Sequence, residues 1–284
     1  MSIELCPLSI ADIKSELTEI REIAAKNSSQ KMHEIALSCI DLTTLNSTDT
    51  FSSVAAFTKK VNLFPLKYAG LKNVAAICVY PNMAQTVKET LNVAGVKIAA
   101  VAGGFPSSMT FTEIKIEEVR LAVAAGADEI DIVLPLWAFL DGDFKTCTLE
   151  ISSIKKAIGK AHLKVILESG VLSPDQIWQA SLLAIEAGGD FIKTSTGKLP
   201  QAATPEAALI MCLAIKQYYE ETGRKIGFKP AGGIVTPDDA MLYLTIVQEI
   251  LGNQWLTPEL FRIGASRLAN NMLEKITGTE TKHF

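Results

Sequence analysis

Eight short, β-branched apolar runs alternate along this chain with longer amphipathic segments. That alternation predicts an α/β protein, a (β/α)8 TIM barrel with one additional N-terminal helix. The runs read as continuous hydrophobes rather than as every second residue, as strands of a parallel sheet covered on both faces do. The segments between them repeat near 3.6 residues, start at Ser/Thr-Pro and stop at Gly. A doubly wound open sheet is the runner-up, because periodicity does not reveal closure.

In chain order, the extra helix is expected at about 9–26. Strands are expected at HEIALSCI (33–40), VAAICVY (74–80), KIAAVAG (97–103), EIDIVLP (129–135), LKVILE (163–168), DFIKTS (190–195), IGFKPAG (226–232) and LFRIGA (260–265). TEIKIEEVRLAVAAG, SPDQIWQASLLAIEAG and TPEAALIMCLAIKQYYEETG supply helices between them. Without a Pro/Gly/Ser-rich linker, one domain over 1–284 is expected, with a tail from about 277 to 284. AAGADEID (124–131) repeats as EAGGDFIK (186–193): a helix end, a glycine cap, Asp, then a strand.

Composition narrows the function classes. The chain is 48% hydrophobic with a formal net charge of -4 and no basic block, which gives no footprint for nucleic acid or a membrane surface. No run approaches the ~18 apolar residues of a membrane span, and the N-terminus lacks a signal pattern. Five scattered cysteines without a C-x-x-C pair fit a reducing, cytoplasmic location. A monomer and a homodimer are both compatible with the sequence.

Four polar residues interrupt strands that otherwise read as core: Asp131, Lys164, Lys193 and Lys229, on strands four to seven. Asp131 and Lys193 each fall five residues after the first glycine of the repeat, so they are expected inside the barrel at one level. Any one lysine can be read as snorkelling out at a strand end. Together, near the C-terminal ends of neighbouring strands, they point to amine chemistry on a carbonyl, a Schiff base that serves as an electron sink.

A free lysine is almost wholly protonated at neutral pH, so the site must depress one amine. Adjacent strands lie about 4.8 Å apart, close enough for Lys229 to act on Lys193. The spacing does not say which is the nucleophile; small hydroxyl neighbours favour Lys193, with Asp131 moving protons and Lys164 beside it. The glycines of STGK (195–198), PAGGIVT (230–236) and IGAS (263–266) follow strands six to eight, where barrels often hold phosphate. Three separated histidines show no metal-ligand spacing. Cys78 reads as inert packing or as a cavity residue, and Asp41 as a turn or capping residue, or as part of the pocket mouth.

Taken together, DLTTL (41–45), ICVYP (77–81), DEIDIVLP (128–135), LKVILE (163–168), DFIKTSTGK (190–198), GFKPAGGI (227–234) and RIGAS (262–266) resemble the deoxyribose-phosphate aldolase family, class I aldolases of the barrel fold. The resemblance covers nearly the whole chain after residue 30. It implies Lys193 as the Schiff-base lysine, Lys229 as the group that lowers its pKa, and Asp131 with Lys164 as a proton relay. Cys78, Asp41, Thr43 and Thr194 would line the substrate pocket. Gly197, Lys198, Gly232, Gly233, Gly264 and Ser266 would hold the 5-phosphate. Implied too is reversible cleavage of 2-deoxy-D-ribose 5-phosphate to D-glyceraldehyde 3-phosphate and acetaldehyde, with no metal or organic cofactor.

Two positions depart from the family pattern. Val235 stands where many members have an arginine, and Arg267, where serine is common, is a candidate replacement charge. The tail ends in His283 and Phe284 rather than the tyrosine that some members use for proton transfer. Another class I aldolase with a different donor, and a non-catalytic barrel that binds sugar phosphates, are the competing readings.

Overall fold

A computed structural model describes residues 5–284; the first four residues of the domain expected over 1–284 lie outside the described residues. Those described form eight strands and eleven α-helices. In chain order they are α1 (Ile10–Lys26), α2 (Gln30–Ser38), β1 (Ile40–Thr43), α3 (Phe51–Lys67), β2 (Ala76–Val79), α4 (Ala84–Thr90), β3 (Lys97–Val101), α5 (Thr112–Ala124), β4 (Glu129–Val133), α6 (Leu136–Leu140), α7 (Phe144–Ala157), β5 (His162–Ile166), α8 (Pro174–Glu186), β6 (Phe191–Lys193), α9 (Pro205–Thr222), β7 (Gly227–Lys229), α10 (Pro237–Leu251), β8 (Ile263–Ala265) and α11 (Leu268–Thr277).

All eight strands run parallel in the order β7-β6-β5-β4-β3-β2-β1-β8. Backbone bonds from Phe228 N to Leu260 O, Arg262 N to Phe228 O and Gly264 N to Pro230 O join β7 to the β8 segment. They close the ring, as bridges at Phe228–Phe261 and Ala231–Gly264 also record. Closure separates this barrel from the open doubly wound sheet.

The helices cover the outside because each strand sends every second side chain outward. On β4 these are Ile130 and Ile132, both buried in the apolar layer between sheet and helices. The extra helix α1 is capped by Ser9 and Asp12 and buries Ile13, Leu17, Ile20 and Ala24, a single stripe at helical spacing. That stripe lies against α9 and α10. Among the described residues no helix is long and apolar enough to cross a membrane.

The two internal repeats do the same structural task. Gly126 and Gly188 take φ near 110°, which ends α5 and α8. The following Asp128 and Asp190 each accept a backbone N–H of the preceding strand, from Ile98 at 2.9 Å and Leu163 at 2.8 Å. Each aspartate thus locks one strand to the next at the bottom of the barrel and fixes the register at which Asp131 and Lys193 enter it.

One expected element is different. Residues 33–40 are not the first strand; 30–38 form α2, and β1 begins at Ile40. Ser29 caps α2 by accepting from Met32 N, and Met32, His33, Ala36 and Leu37 are buried at i, i+1, i+4 and i+5, a helical stripe. HEIALSCI is too short an apolar run for its period to be read without that cap. The correction moves Asp41, Leu42 and Thr43 into the strand, which changes what Asp41 can touch.

Candidate active site

Inward-facing side chains normally fill such a barrel with hydrophobes. Here the middle of the barrel is instead charged. Asp41 on β1, Glu129 and Asp131 on β4, Lys164 on β5, Lys193 on β6, Lys229 on β7 and Arg262 at the start of β8 are all buried. Burying ions costs several kcal/mol each unless they are paired, so the pairing decides the behaviour of each one.

Lys164 is held by three carboxylates: Glu129 at 2.5 Å, Asp131 at 3.1 Å and Asp41 at 3.5 Å. Lys229 is held by two, Asp41 at 2.5 Å and Asp131 at 2.8 Å. Arg262 binds Asp41 at 2.6 Å and Glu129 at 2.7 Å, and its Nε donates to the Pro258 carbonyl. Lys193 has Asp131 alone, at 2.9 Å, through the oxygen that also receives Lys229. Four cations therefore stand against three anions, and the least supported cation is Lys193.

The protonation equilibria follow that order. Burial pushes the Lys193 ammonium below the ordinary lysine range, Asp131 opposes the shift, and the Lys229 charge reinforces it. For Lys164 burial acts in the same sense, but Asp131, Glu129 and Asp41 together overcome it and raise the amine. Lys229 is likewise raised, by Asp131 and Asp41 against burial. Against their own burial, the surrounding cations hold Asp131, Asp41 and Glu129 below the usual carboxylate range. Burial thus lowers the Lys193 ammonium more than the neighbouring Lys229 does.

Above Lys193 opens a cavity of about 380 Å³, lined by the loops that follow β1, β6, β7 and β8. Gly197, Gly232 and Gly233 all have positive φ there. Gly232 must also lack a side chain, since a Cβ would come within 2.6 Å of the Ala202 Cβ and 3.2 Å of the Gly197 Cα. Such loops present backbone N–H groups to an anion. Lys198 lines the cavity with its Nζ on the Leu45 carbonyl at 2.5 Å, and Arg267 stands exposed at the same rim. An amine at the floor and anion-holding loops at the rim can take a phosphorylated carbonyl compound end to end.

The structure brings most of the expected residues together. Lys193, Thr43, Gly197, Lys198, Gly232, Gly233, Gly264 and Ser266 line the cavity; Asp131, Lys164 and Lys229 lie in the ion network beneath it. Cys78 is buried near them, its thiol pushed up by burial. Gly264 has a further cause for being glycine, as a Cβ would meet Ala231 at 2.8 Å and the Lys229 stem at 3.3 Å. Val235 and Arg267 both face the cavity.

Two expectations need correction. Asp41 is neither a turn residue nor a cap: it is a fully buried strand residue bonded to Arg262 and paired with two lysines. The Thr194 hydroxyl does not line the cavity; it bonds Ala231 N at 2.9 Å and steadies the turn after β7. The tail lies elsewhere: His283 packs against Phe64 and Tyr68, and the Phe284 N–H and carbonyl pair with the Asn270 side-chain amide, so both sit on α3 and α11.

Three site residues were missed in the sequence. Glu129 stands two positions before Asp131, hence on the same face of the strand, and Arg262 interrupts LFRIGA as the lysines interrupt their strands. Glu168 ends β5's run at φ 54°, buried, and accepts from Thr196 N at 3.0 Å and Thr196 Oγ1 at 2.6 Å. Through Thr196 it shapes the STGK turn, whose Lys198 N–H also rests on Thr196 Oγ1 at 3.1 Å.

Residues 35–253 match the DeoC/LacD family aldolase model. A deoxyribose-phosphate aldolase of Mus musculus is 42% identical over 277 residues, 92% of this chain and 87% of the relative. One of Homo sapiens is 43% identical over 253 residues, 85% and 79% of the two chains. Among solved structures, the deoxyribose phosphate aldolase of Aeropyrum pernix superposes with a TM-score of 0.70 at 23% identity, covering 96% of this chain and all of that one, a likeness of fold.

Proposed function

Because the chain belongs to the DeoC/LacD family of aldolases, a family of lyases, we propose that it cleaves 2-deoxy-D-ribose 5-phosphate reversibly to D-glyceraldehyde 3-phosphate and acetaldehyde through an imine on Lys193. One observation carries the residue assignment: of the interior cations, Lys193 alone has a single, shared carboxylate and opens to the cavity.

The free Lys193 amine attacks the C1 aldehyde of the open-chain sugar. Loss of water from the carbinolamine leaves a protonated imine. Removal of the C3 hydroxyl proton breaks the C2–C3 bond; the electron pair moves through C2 into the iminium nitrogen, and glyceraldehyde 3-phosphate departs. Protonation of the resulting enamine at C2, then hydrolysis, releases acetaldehyde and the free amine. Asp131, at 2.9 Å from the Lys193 nitrogen, is the group within reach of these proton transfers. Lys229 and Lys164 keep it ionised.

At the other end, the Gly232–Gly233 backbone, Gly197, Ser266, Lys198 and Arg267 hold the 5-phosphate. Val235 supplies no side-chain donor, and Arg267 supplies the charge at that rim. A soluble enzyme in the cytoplasm acting on small aldehydes and sugar phosphates fits this reading.

The experiment pairs a coupled assay for glyceraldehyde 3-phosphate with reductive trapping by acetaldehyde and borohydride. Release of product together with an adduct mapped to Lys193 is expected. An active protein whose adduct maps elsewhere would overturn the assignment.

A further inference from the structure

Arg262 and Glu129 belong to the charged interior but stand below its reacting level. Glu129 lies two residues before Asp131, and Arg262 two before Gly264; neither is among the described residues that line the cavity. They grip one another through two guanidinium bonds, at 2.7 and 3.0 Å, and the Arg262 guanidinium lies 5.8 Å from the Phe191 ring centroid. Gly227 makes room for that ring, since a Cβ there would come within 2.2 Å of it. The pair is a built feature, walled off from substrate, and a hydrophobic filling would cost less desolvation.

We propose that Arg262 and Glu129 are positioning residues that set the net charge of the barrel interior and so fix the pH at which Lys193 becomes a free amine. The inference rests on the imine reading above. Sharing the interior with Lys193 are Asp131, its one ion partner, then Asp41, Lys164, Lys229, Glu129 and Arg262 linked through the ion network, with Cys78 on β2 and the apolar Ala99 and Val101 on β3. With every ion charged the set carries one excess positive charge. Loss of the Lys193 proton removes it, and the interior becomes neutral at the moment the nucleophile is ready.

Arg262 also occupies Asp41 and Glu129 so that neither turns fully to a lysine. Glu129 in turn gives Lys164 a second close carboxylate, shared with Arg262, so that Lys164 draws less on Asp131. Remove Arg262 and three cations face three anions, leaving no excess to drive off the Lys193 proton. Remove the Glu129 charge and four cations face two anions, and the excess doubles.

The two substitutions therefore shift Lys193 in opposite senses, which general structural damage does not do. The readout is the rate of acetaldehyde trapping with cyanoborohydride across about pH 5 to 10, where the trapped amine must be free. Arg262→Met should move the half-maximal pH up by about one unit, and Glu129→Gln down by about one, as for a unit charge about 10 Å away at an effective dielectric near 20. The double variant, with three cations against two carboxylates, should return to the starting value, and Arg262→Lys should stay there.

If Arg262→Met fails to fold, Glu129→Gln against the double variant carries the same comparison. Adducts at Lys193 with an unmoved half-maximal pH, or shifts in one common direction, overturn this inference. No adduct at Lys193 in the unaltered protein overturns the imine reading instead.

Discussion

Lys115 and Lys193 are both buried beside a carboxylate, yet the two regions treat their lysines differently. Lys115 lies outside the barrel, on α5 facing α7, with Glu150 at 2.7 Å and the Ser108 hydroxyl at 2.7 Å, while Thr112 fills the second oxygen of Glu150. That pair is closed: one cation and one anion, with the remaining contacts made by hydroxyls. Lys193 shares its single carboxylate with Lys164 and Lys229. The two buried lysines thus differ in their counterion: Lys115 has a carboxylate to itself, whereas Lys193 has only one that two other lysines also hold.

Removing the shared lysine itself should have the largest effect. Lys193→Ala should lower kcat by roughly 10³-fold or more, with the fold kept as judged by circular dichroism, since among the described residues the other lysine lining the cavity, Lys198, has its Nζ on the Leu45 carbonyl. Retained turnover would place the nucleophile elsewhere.

The comparison can also be broken by making Lys193 resemble Lys115. In Lys229→Met, Asp131 loses one of its three cations and binds Lys193 more nearly as Glu150 binds Lys115. The Lys193 pKa then rises toward the ordinary value, so the acidic limb of kcat/KM moves to higher pH. The neutral-pH rate should fall by about 10²-fold and partly recover in alkali. A lower rate with an unmoved limb would mean that Lys229 acts by geometry rather than by charge.

The converse test leaves the chemistry alone. Lys115→Met strands Glu150 in a dry site and should cost about 3–5 kcal/mol of unfolding free energy, while imine formation per folded molecule stays constant. Changing Glu150 to Leu as well should restore most of the loss in denaturant melts, because a hydrophobic pair of similar volume replaces a buried ion pair at little cost.

The same contrast explains what was legible in the sequence. Lys193, Lys229, Lys164 and Asp131 stand out because each breaks an apolar strand, where a polar residue has few innocent places to go. Lys115 sits in TEIKIEEVR, an amphipathic helix in which charges are ordinary, and nothing local says that α7 will cover it. Arg262 and Glu129 were visible by the strand rule but stood at strand starts, where charge also looks solvated. The strand position of Asp41, though not its candidacy for the pocket, was hidden by a boundary: reading α2 as the first strand left DLTTL after it, and only the Ser29 cap reveals the shift. Glu168 and Thr194 act by bonding loop backbone, which depends on tertiary approach rather than on any local pattern.

The smallest expected effect lies at the rim, where ions are exposed rather than buried. Lys198 donates to the Leu45 carbonyl from a turn that Glu168 and Thr196 shape, so it is placed by backbone contacts and not by a carboxylate. Water screens such a charge, and one exposed ion contact is worth about 1 kcal/mol, against the several at stake in the barrel interior. Lys198→Ala should therefore raise KM for deoxyribose 5-phosphate by about 5- to 10-fold with kcat little changed, and leave unphosphorylated deoxyribose unaffected. An equal loss with both sugars would mean that Lys198 serves the loop's shape, by tying β6 to β1 through Leu45, and that the phosphate rests on Arg267 and the glycine backbone instead.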